Sequence, residues 1–190
     1  NRYTNSFVRP MNDAWQDHLA KATSWSVPGY AKQGDFYQDQ AAMFRRQDQK
    51  VVVIISDALR YEVAEECLRR IRGLNRFDAD LTPMISSLPS YTQLGMASLV
   101  PHRALELAAD GDGTVLADAA STVGLQAREK RLAAGRDGDR ARTLSAEDVM
   151  GMRTDEGKDL FRDHDIVYVY HNRIDAIGDK RATEDRTFDA

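Results

Sequence analysis

The sequence predicts an α/β domain built on a mostly parallel sheet flanked by helices, and three observations carry the prediction. Val51–Ile55 and Ile166–Tyr170 are apolar runs, rich in β-branched or aromatic side chains and free of polar alternation. That is the pattern of strands buried on both faces of a parallel sheet. A helical pattern follows the first run at once, as joining parallel strands by a crossover requires. Each run also delivers acidic residues just past its carboxyl end: Asp57 after the first, Asp175 and Asp179 after the second.

Taken in order, Pro10 opens a helix whose Trp15 and Leu19 share one face. Ser24–Gly34, with Pro28 and Gly29, reads as a loop, and Asp35 caps a second helix running to about Gln47. Residues 1–48 are thus a helical lead-in, and residues 49–190 the domain itself. Beyond the first strand, Leu59, Val63, Cys67 and Ile71 recur every fourth residue with Ala64 and Leu68 beside them, an apolar helix stripe that Gly73 ends. Phe77–Ile85 alternates loosely as a second strand and enters the loop Ser86–Ser90. A helix spans Thr92–Val100 and stops before Pro101. Leu105–Ala108 and Thr114–Ala117 flank the turn Asp110–Gly113, a hairpin signal. Ser121–Asp139 is polar, basic and glycine-rich, and reads as a mobile helix-plus-loop excursion. Ser145 with Asp148 forms a capping box for a helix running to about Arg162.

Composition narrows the function classes. With 190 residues, 42% hydrophobic and 29% charged, the chain has material for one sizeable core and the make-up of a soluble globular protein. No apolar run approaches the roughly 20 residues of a membrane helix, and Asn1–Thr4 lacks a signal-peptide layout, so a cytoplasmic location is expected. The single Cys67 excludes an internal disulfide and is expected to pack in the core. A net charge of −4, from 26 basic and 30 acidic residues intermixed along the chain, excludes a general polyanion binder. A local basic cluster, Arg128, Lys130, Arg131, Arg136, Arg140 and Arg142, reads as a solvated helix and loop, with contact to a phosphate backbone as the alternative. The sequence opens without Met and stops at Ala190 within a helical pattern, so it is expected to be a piece of a longer chain.

The chemistry concentrates at one sheet edge. Parallel packing of the two apolar strands would bring Asp57, Asp175 and Asp179 to the same side, where carboxylates repel one another unless a cation neutralises them. Between them lies Pro89–Gln93, a polar loop running into a helix. A Thr92 hydroxyl at that helix N-terminus would stand beside unpaired backbone N–H groups, and next to a metal it could ionise and attack as a nucleophile. The plainer reading makes Ser90 or Thr92 an N-cap, Asp57 the cap of its own helix, and Asp175 with Asp179 a solvated turn. His171 fits a ligand, a phosphate contact or a core residue. Arg60 and Arg173 fit an anionic substrate or surface ion pairs.

Three motifs together resemble the PglZ domain, a branch of the alkaline phosphatase superfamily: VVVIISDALRYE at 51–62, LPSYTQLGMASLVP at 88–101 and VYVYHNRIDAIGDKRATE at 167–184. The resemblance covers residues 36–190, and the stretch around Phe36 and Tyr37 is similar to what precedes that domain in PglZ proteins of the BREX phage-defence system. It implies an alkaline-phosphatase-like sheet, here cut short at its C-terminal end, and a bimetal phosphohydrolase site with zinc the usual ion. By that resemblance Asp57 is the first-strand metal ligand, and Thr92 is a metal-bound nucleophile. Asp175 and Asp179 stand where many relatives carry Asp-x-x-Gly-His, and the Asp in place of His shifts the expectation toward manganese or magnesium. Arg60, Ser90, Tyr91, His171 and Asn172 are the matching candidates for substrate or phosphate contact. The family's later Asp-His pair and further His find no match, so the piece by itself is expected to be inactive or only partly metallated. Implied partners are other phage-defence proteins, with nucleic acid or a nucleotide as the substrate and no membrane. The competing class is a non-catalytic PglZ-like scaffold or nucleotide sensor in a defence complex. A Rossmann-like binder is disfavoured because Ser56–Arg60 holds no glycine-rich phosphate loop.

Overall fold

A computed structural model gives the fold, with residues 2–109, 111–180 and 183 described. The chain divides into two compact units, Asn1–Tyr30 and Ala31–Ala190. In the first, a π-helical turn (Thr4–Val8) leads into α1 (Arg9–Lys21), with Pro10 in its opening turn. No residue of α1 is buried, and Trp15 meets Trp25 edge-on at 6.3 Å between ring centroids.

The second unit begins with β1 (Ala31–Lys32), a 3-10 turn (Gln33–Asp35), a π-helical turn (Tyr37–Ala41) and α2 (Ala42–Arg45). Asp35 therefore caps no continuous helix. Tyr37, Ala41 and Ala42 are buried in the main core, within the compact unit that begins at Ala31. Next come β2 (Val51–Ser56), α3 (Tyr61–Gly73), β3 (Met84–Ile85) and α4 (Thr92–Ser98). The strand expected over Phe77–Ile85 shrinks to β3, which pairs parallel with β1. Ahead of it Asp78 and Asp80 engage local groups, Asp78 accepting from the Ala79 N–H and Asp80 from Arg72, and Pro83 brings no N–H to a ladder. A hairpin follows, β4 (Leu105–Leu107) antiparallel to β5 (Val115–Ala117), with β6 (Ala120–Ser121) on its far side. Of its turn, Asp110 lies outside the described residues.

The stretch expected to be mobile is packed. It forms α5 (Gly124–Ala133), with Leu132 wholly buried and Arg128 nearly so. Its neighbours in the basic cluster are paired: Arg131 with Asp118, Arg136 with Asp48, Arg140 with Asp165 and Arg142 with Glu129. These cations face carboxylates, as expected of a solvated helix and loop. β7 (Ala141–Ser145) leads into α6 (Ala146–Gly151), α7 (Thr154–Asp163), β8 (Ile166–His171) and α8 (Arg173–Gly178). The Ser145–Asp148 capping box is formed, although the single helix expected up to Arg162 breaks into α6 and α7 near Met152. The helical pattern near Ala190 lies outside the described residues.

The organising sheet has the order β2-β8-β7, all parallel, with Val51 opposite Ile166 and Ser56 opposite His171. Strand parity sends Tyr168 and Tyr170 into one core with Val53, Ile55, Val100 and Leu132, and Val167 and Val169 into a second core with Leu144 and Leu160. Helices α4 and α5 serve the first face, α6 and α7 the second, and β8 is buried on both. β2 is not. It is the edge strand, and Val52 and Ile54 are 47% and 70% exposed on the second face, where nothing covers them among the described residues. For the same reason the stripe of α3 finds no core: none of its residues is buried, and Cys67 is exposed rather than packed.

Candidate active site

The carboxyl end of the sheet holds the site. Register pairing of β2 with β8 ends at Ser56 and His171, and the Asp57 N–H adds one more rung by donating to the His171 carbonyl at 2.9 Å. Asp57 is thereby fixed one residue past the strand. The following Ala58 takes a left-handed φ of 60° and donates its N–H to Asp57 Oδ1 at 3.0 Å. That turn lets the chain leave the sheet while the carboxylate stays at its edge.

Thr92 reaches the same place from α4. The helix is held at its far end by Tyr168, whose hydroxyl donates to the Leu99 carbonyl at 2.8 Å, and along its flank by Leu94 and Ala97 packed on Val115. At its start the Tyr91 hydroxyl donates to the Gly113 carbonyl at 2.9 Å. Gln33 bridges α4 to the preceding loop, its Nε2 donating to the Gly95 carbonyl at 3.4 Å and its Oε1 accepting from the Ser87 N–H at 3.2 Å. Tyr91, not Ser90 or Thr92, occupies the N-cap position, and no side chain caps the helix. The plain capping reading of Thr92 therefore fails: its exposed hydroxyl makes no hydrogen bond to the described residues.

Asp57, Ser56, Ser86, Ser87, Ser90 and Thr92 form the polar wall of a cleft of about 470 Å³, with Ile55, Met96 and Leu99 as its apolar floor. Asp57 and Thr92, predicted from separate motifs, thus share one cavity. Asp175, in the first turn of α8, is close enough for its charge to act on Asp57. Burial chiefly, and then that neighbouring charge, hold the Asp57 carboxyl above the usual carboxylate range, against a downward pull from the Ala58 N–H and from Arg128. Mutual repulsion of two acids is what a bound cation relieves. Asp179 is exposed at the end of α8. Among the described residues no three His, Cys, Asp or Glu side chains stand close enough together to hold a metal.

The remaining candidates separate. His171 faces a different cavity, of about 700 Å³, with Arg173, Glu147 and Met150, and its Nδ1 is hydrogen-bonded to Ser56 Oγ at 2.8 Å. Asn172 is exposed at the N-cap position of α8, and Arg60 precedes α3 outside the Thr92 cleft. Sequence reasoning missed Gln33, Ser86 and Ser87, which no local motif marks and which only folding brings to the cleft.

Residues 36–190 match the model of the BREX system PglZ alkaline phosphatase-like domain. The chain belongs to the PglZ family. It is 38% identical over 193 residues to the alkaline phosphatase-like protein BrxZ of Escherichia coli O9:H4 (strain HS), covering 99% of this chain and 22% of that protein. To the alkaline phosphatase-like protein PglZ of Bacillus cereus (strain H3081.97) it is 32% identical over 192 residues, covering 100% of this chain and again 22% of the relative. No solved structure matches it. The Asp57 and Thr92 cleft lies wholly within the second compact unit. No helix among the described residues is long and apolar enough to cross a membrane.

Proposed function

We propose that this PglZ domain contributes a metal ligand and the nucleophile of a phosphoric-ester hydrolase, a phosphodiesterase or phosphatase, acting with other proteins of a bacterial phage-defence system in the cytoplasm. The observation that carries the reading is that Asp57 and Thr92, delivered by different elements, line one cleft where the Thr92 hydroxyl has no partner among the described residues. Asp57 and Asp175 would hold a divalent cation, with Asp179 joining in the metallated state. An all-oxygen set suits magnesium or manganese as well as zinc. That cation would supply charge neutralisation at the phosphoryl group and lower the proton affinity of a nearby hydroxyl. Thr92 Oγ1 attacks phosphorus in line, the bond from phosphorus to the leaving alkoxide breaks, and the resulting phosphothreonine is cleaved by water, which returns the hydroxyl. Ser90 offers its hydroxyl to the phosphate oxygens along the same wall, while the Ser87 hydroxyl is shared with Ser98 Oγ at 2.7 Å.

The test is metal analysis together with a phosphodiester assay on the intact protein. Metal uptake that falls in Asp57→Ala, and turnover that vanishes in both Asp57→Ala and Thr92→Ala, support the hydrolase. Unchanged turnover in both sinks it. A second reading, a non-catalytic scaffold or nucleotide sensor, draws on the lack of a three-residue metal group among the described residues. It predicts full complex assembly with the other defence proteins and no turnover in the wild-type protein.

A further inference from the structure

The organising sheet ends differently on its two sides. In β7, two of the N–H groups that point away from β8 are taken by carboxylates: Glu129 Oε2 accepts the Thr143 N–H at 2.8 Å, and Asp148 Oδ2 accepts the Ser145 N–H at 3.3 Å. Arg142 adds a charge to the same strand. Such features close an edge strand to further pairing. β2 has none of them. Its six residues carry no charge and no proline, and they keep an unbroken register with β8 from Val51 to Ser56. Val51 and Asp57 donate toward β8, to the carbonyls of Asp165 and His171, so by alternation the N–H groups of Val52, Ile54 and Ser56 point to the open edge. None of the three has an acceptor among the described residues.

The side chains repeat the contrast. Val52 stands opposite Val167 and Ile54 opposite Val169, so all four lie on one face of the sheet. Over β8 that face is closed by Leu144 and Leu160, and Val167 and Val169 are buried. One strand further on it is bare, with Val52 47% and Ile54 70% exposed. An uncharged edge with open N–H groups and an uncovered apolar face is a surface suited to being paired and covered. A second copy joined through β2 would satisfy the N–H groups yet set another bare face beside this one. An occupant from the same polypeptide can do both, with a strand on the edge and its connection across the face. The chain spans 22% of each curated relative, so in those proteins most of the sequence lies outside the matched region.

We propose that a segment of the same polypeptide lying outside residues 1–190 adds a strand to the free edge of β2 and covers Val52 and Ile54 with an apolar connection. This goes beyond the hydrolase reading and does not depend on it. The test is amide hydrogen exchange of the intact protein, read residue by residue by mass spectrometry. The Val52, Ile54 and Ser56 amides should exchange on the order of 100-fold or more slower than open amides, in the range of Val53 and Ile55, which donate to β8. That protection should persist on dilution. Fast exchange at the three positions overturns the proposal. So does protection that fades with dilution, which marks a second copy, or that arises only when other defence proteins are added, which marks a partner. A photo-crosslinking side chain at the same place, Ile54→benzoylphenylalanine, identifies the occupant. An adduct to a peptide outside residues 1–190 of the same molecule is expected, and an adduct within residues 1–190 or to another molecule overturns the proposal. The exchange measurement needs no variant, so it stands even if this one does not fold.

Discussion

Asp139→Ala should be among the most damaging single changes in this fold. The Asp139 side chain is 3% exposed, and Arg45, whose side chain is 6% exposed, meets it with both prongs of the fork, Nε at 3.0 Å and the terminal nitrogen at 2.8 Å. Arg136 adds a longer contact to the same carboxylate at 3.5 Å. Removing the carboxylate leaves a buried guanidinium with only the Gln49 carbonyl, at 2.5 Å, to satisfy it. Breaking one side of such a pair costs about 3–5 kcal/mol. For a domain of this size each kcal/mol lowers Tm by about 2–4 °C, so the melting temperature should fall by roughly 6–20 °C. Thermal unfolding followed by circular dichroism measures this, with urea titration to confirm that the slope is unchanged. Replacing both partners by apolar residues, Arg45→Met with Asp139→Leu, should recover much of the loss, because no charge is then left buried. A drop below about 1 kcal/mol in Asp139→Ala would refute the assignment of this pair as the clasp between the Ala31–Arg45 segment and the sheet.

Other predictions address separate features. Gly135→Ala should destabilise by about 1–3 kcal/mol in denaturant titration, because an added Cβ would fall on the buried Tyr37 ring and hydroxyl and on Pro101, neither of which has room to retreat. Ser145→Ala removes the hydroxyl that accepts the Asp148 N–H at 3.0 Å, and should cost about 1 kcal/mol by the same measurement. The Arg140 guanidinium and backbone N–H pull the Asp165 carboxyl down to about 2 from 3.8. A depressed acid stabilises the fold above its unfolded value, so this contribution is complete above pH about 4 and is lost as pH falls toward 2. Acid unfolding of Asp165→Asn should show a shallower loss over that window than the wild-type protein.

The fold was legible where one property decided it. Ile166–Tyr170 reads as a central strand, and β8 is one, because its side chains are buried on both faces. Val51–Ile55 carries the same signature, but periodicity does not register whether a strand has one neighbour or two, and Val52 and Ile54 stand open on an edge. The stripe through Val63 and Cys67 likewise locates a helix face without supplying anything to pack against it. β7 was missed because Arg142 within it and Arg140 just before it give the stretch a basic, loop-like composition, although Ala141, Thr143 and Ser145 alternate with Arg142 and Leu144 as a strand should. Thr143 is buried there with its N–H donated to Glu129 and its hydroxyl to the Leu125 carbonyl, partners no local reading supplies. In the site, Asp57 and Thr92 were legible because strand ends and helix starts meet at one sheet edge. His171 follows Tyr170 by one residue, so strand parity sends it to the opposite side of the sheet, where it lines a different cavity.

If Thr92 Oγ1 attacks phosphorus, the phosphoryl group can be trapped on that residue. The intact protein, supplied with a divalent cation and a phosphate-ester substrate and quenched in acid, should carry one phosphoryl group, located by peptide mass spectrometry on Thr92 and absent from Thr92→Ala. Turnover of the same substrate without that label, or the label on any other residue, would contradict the account.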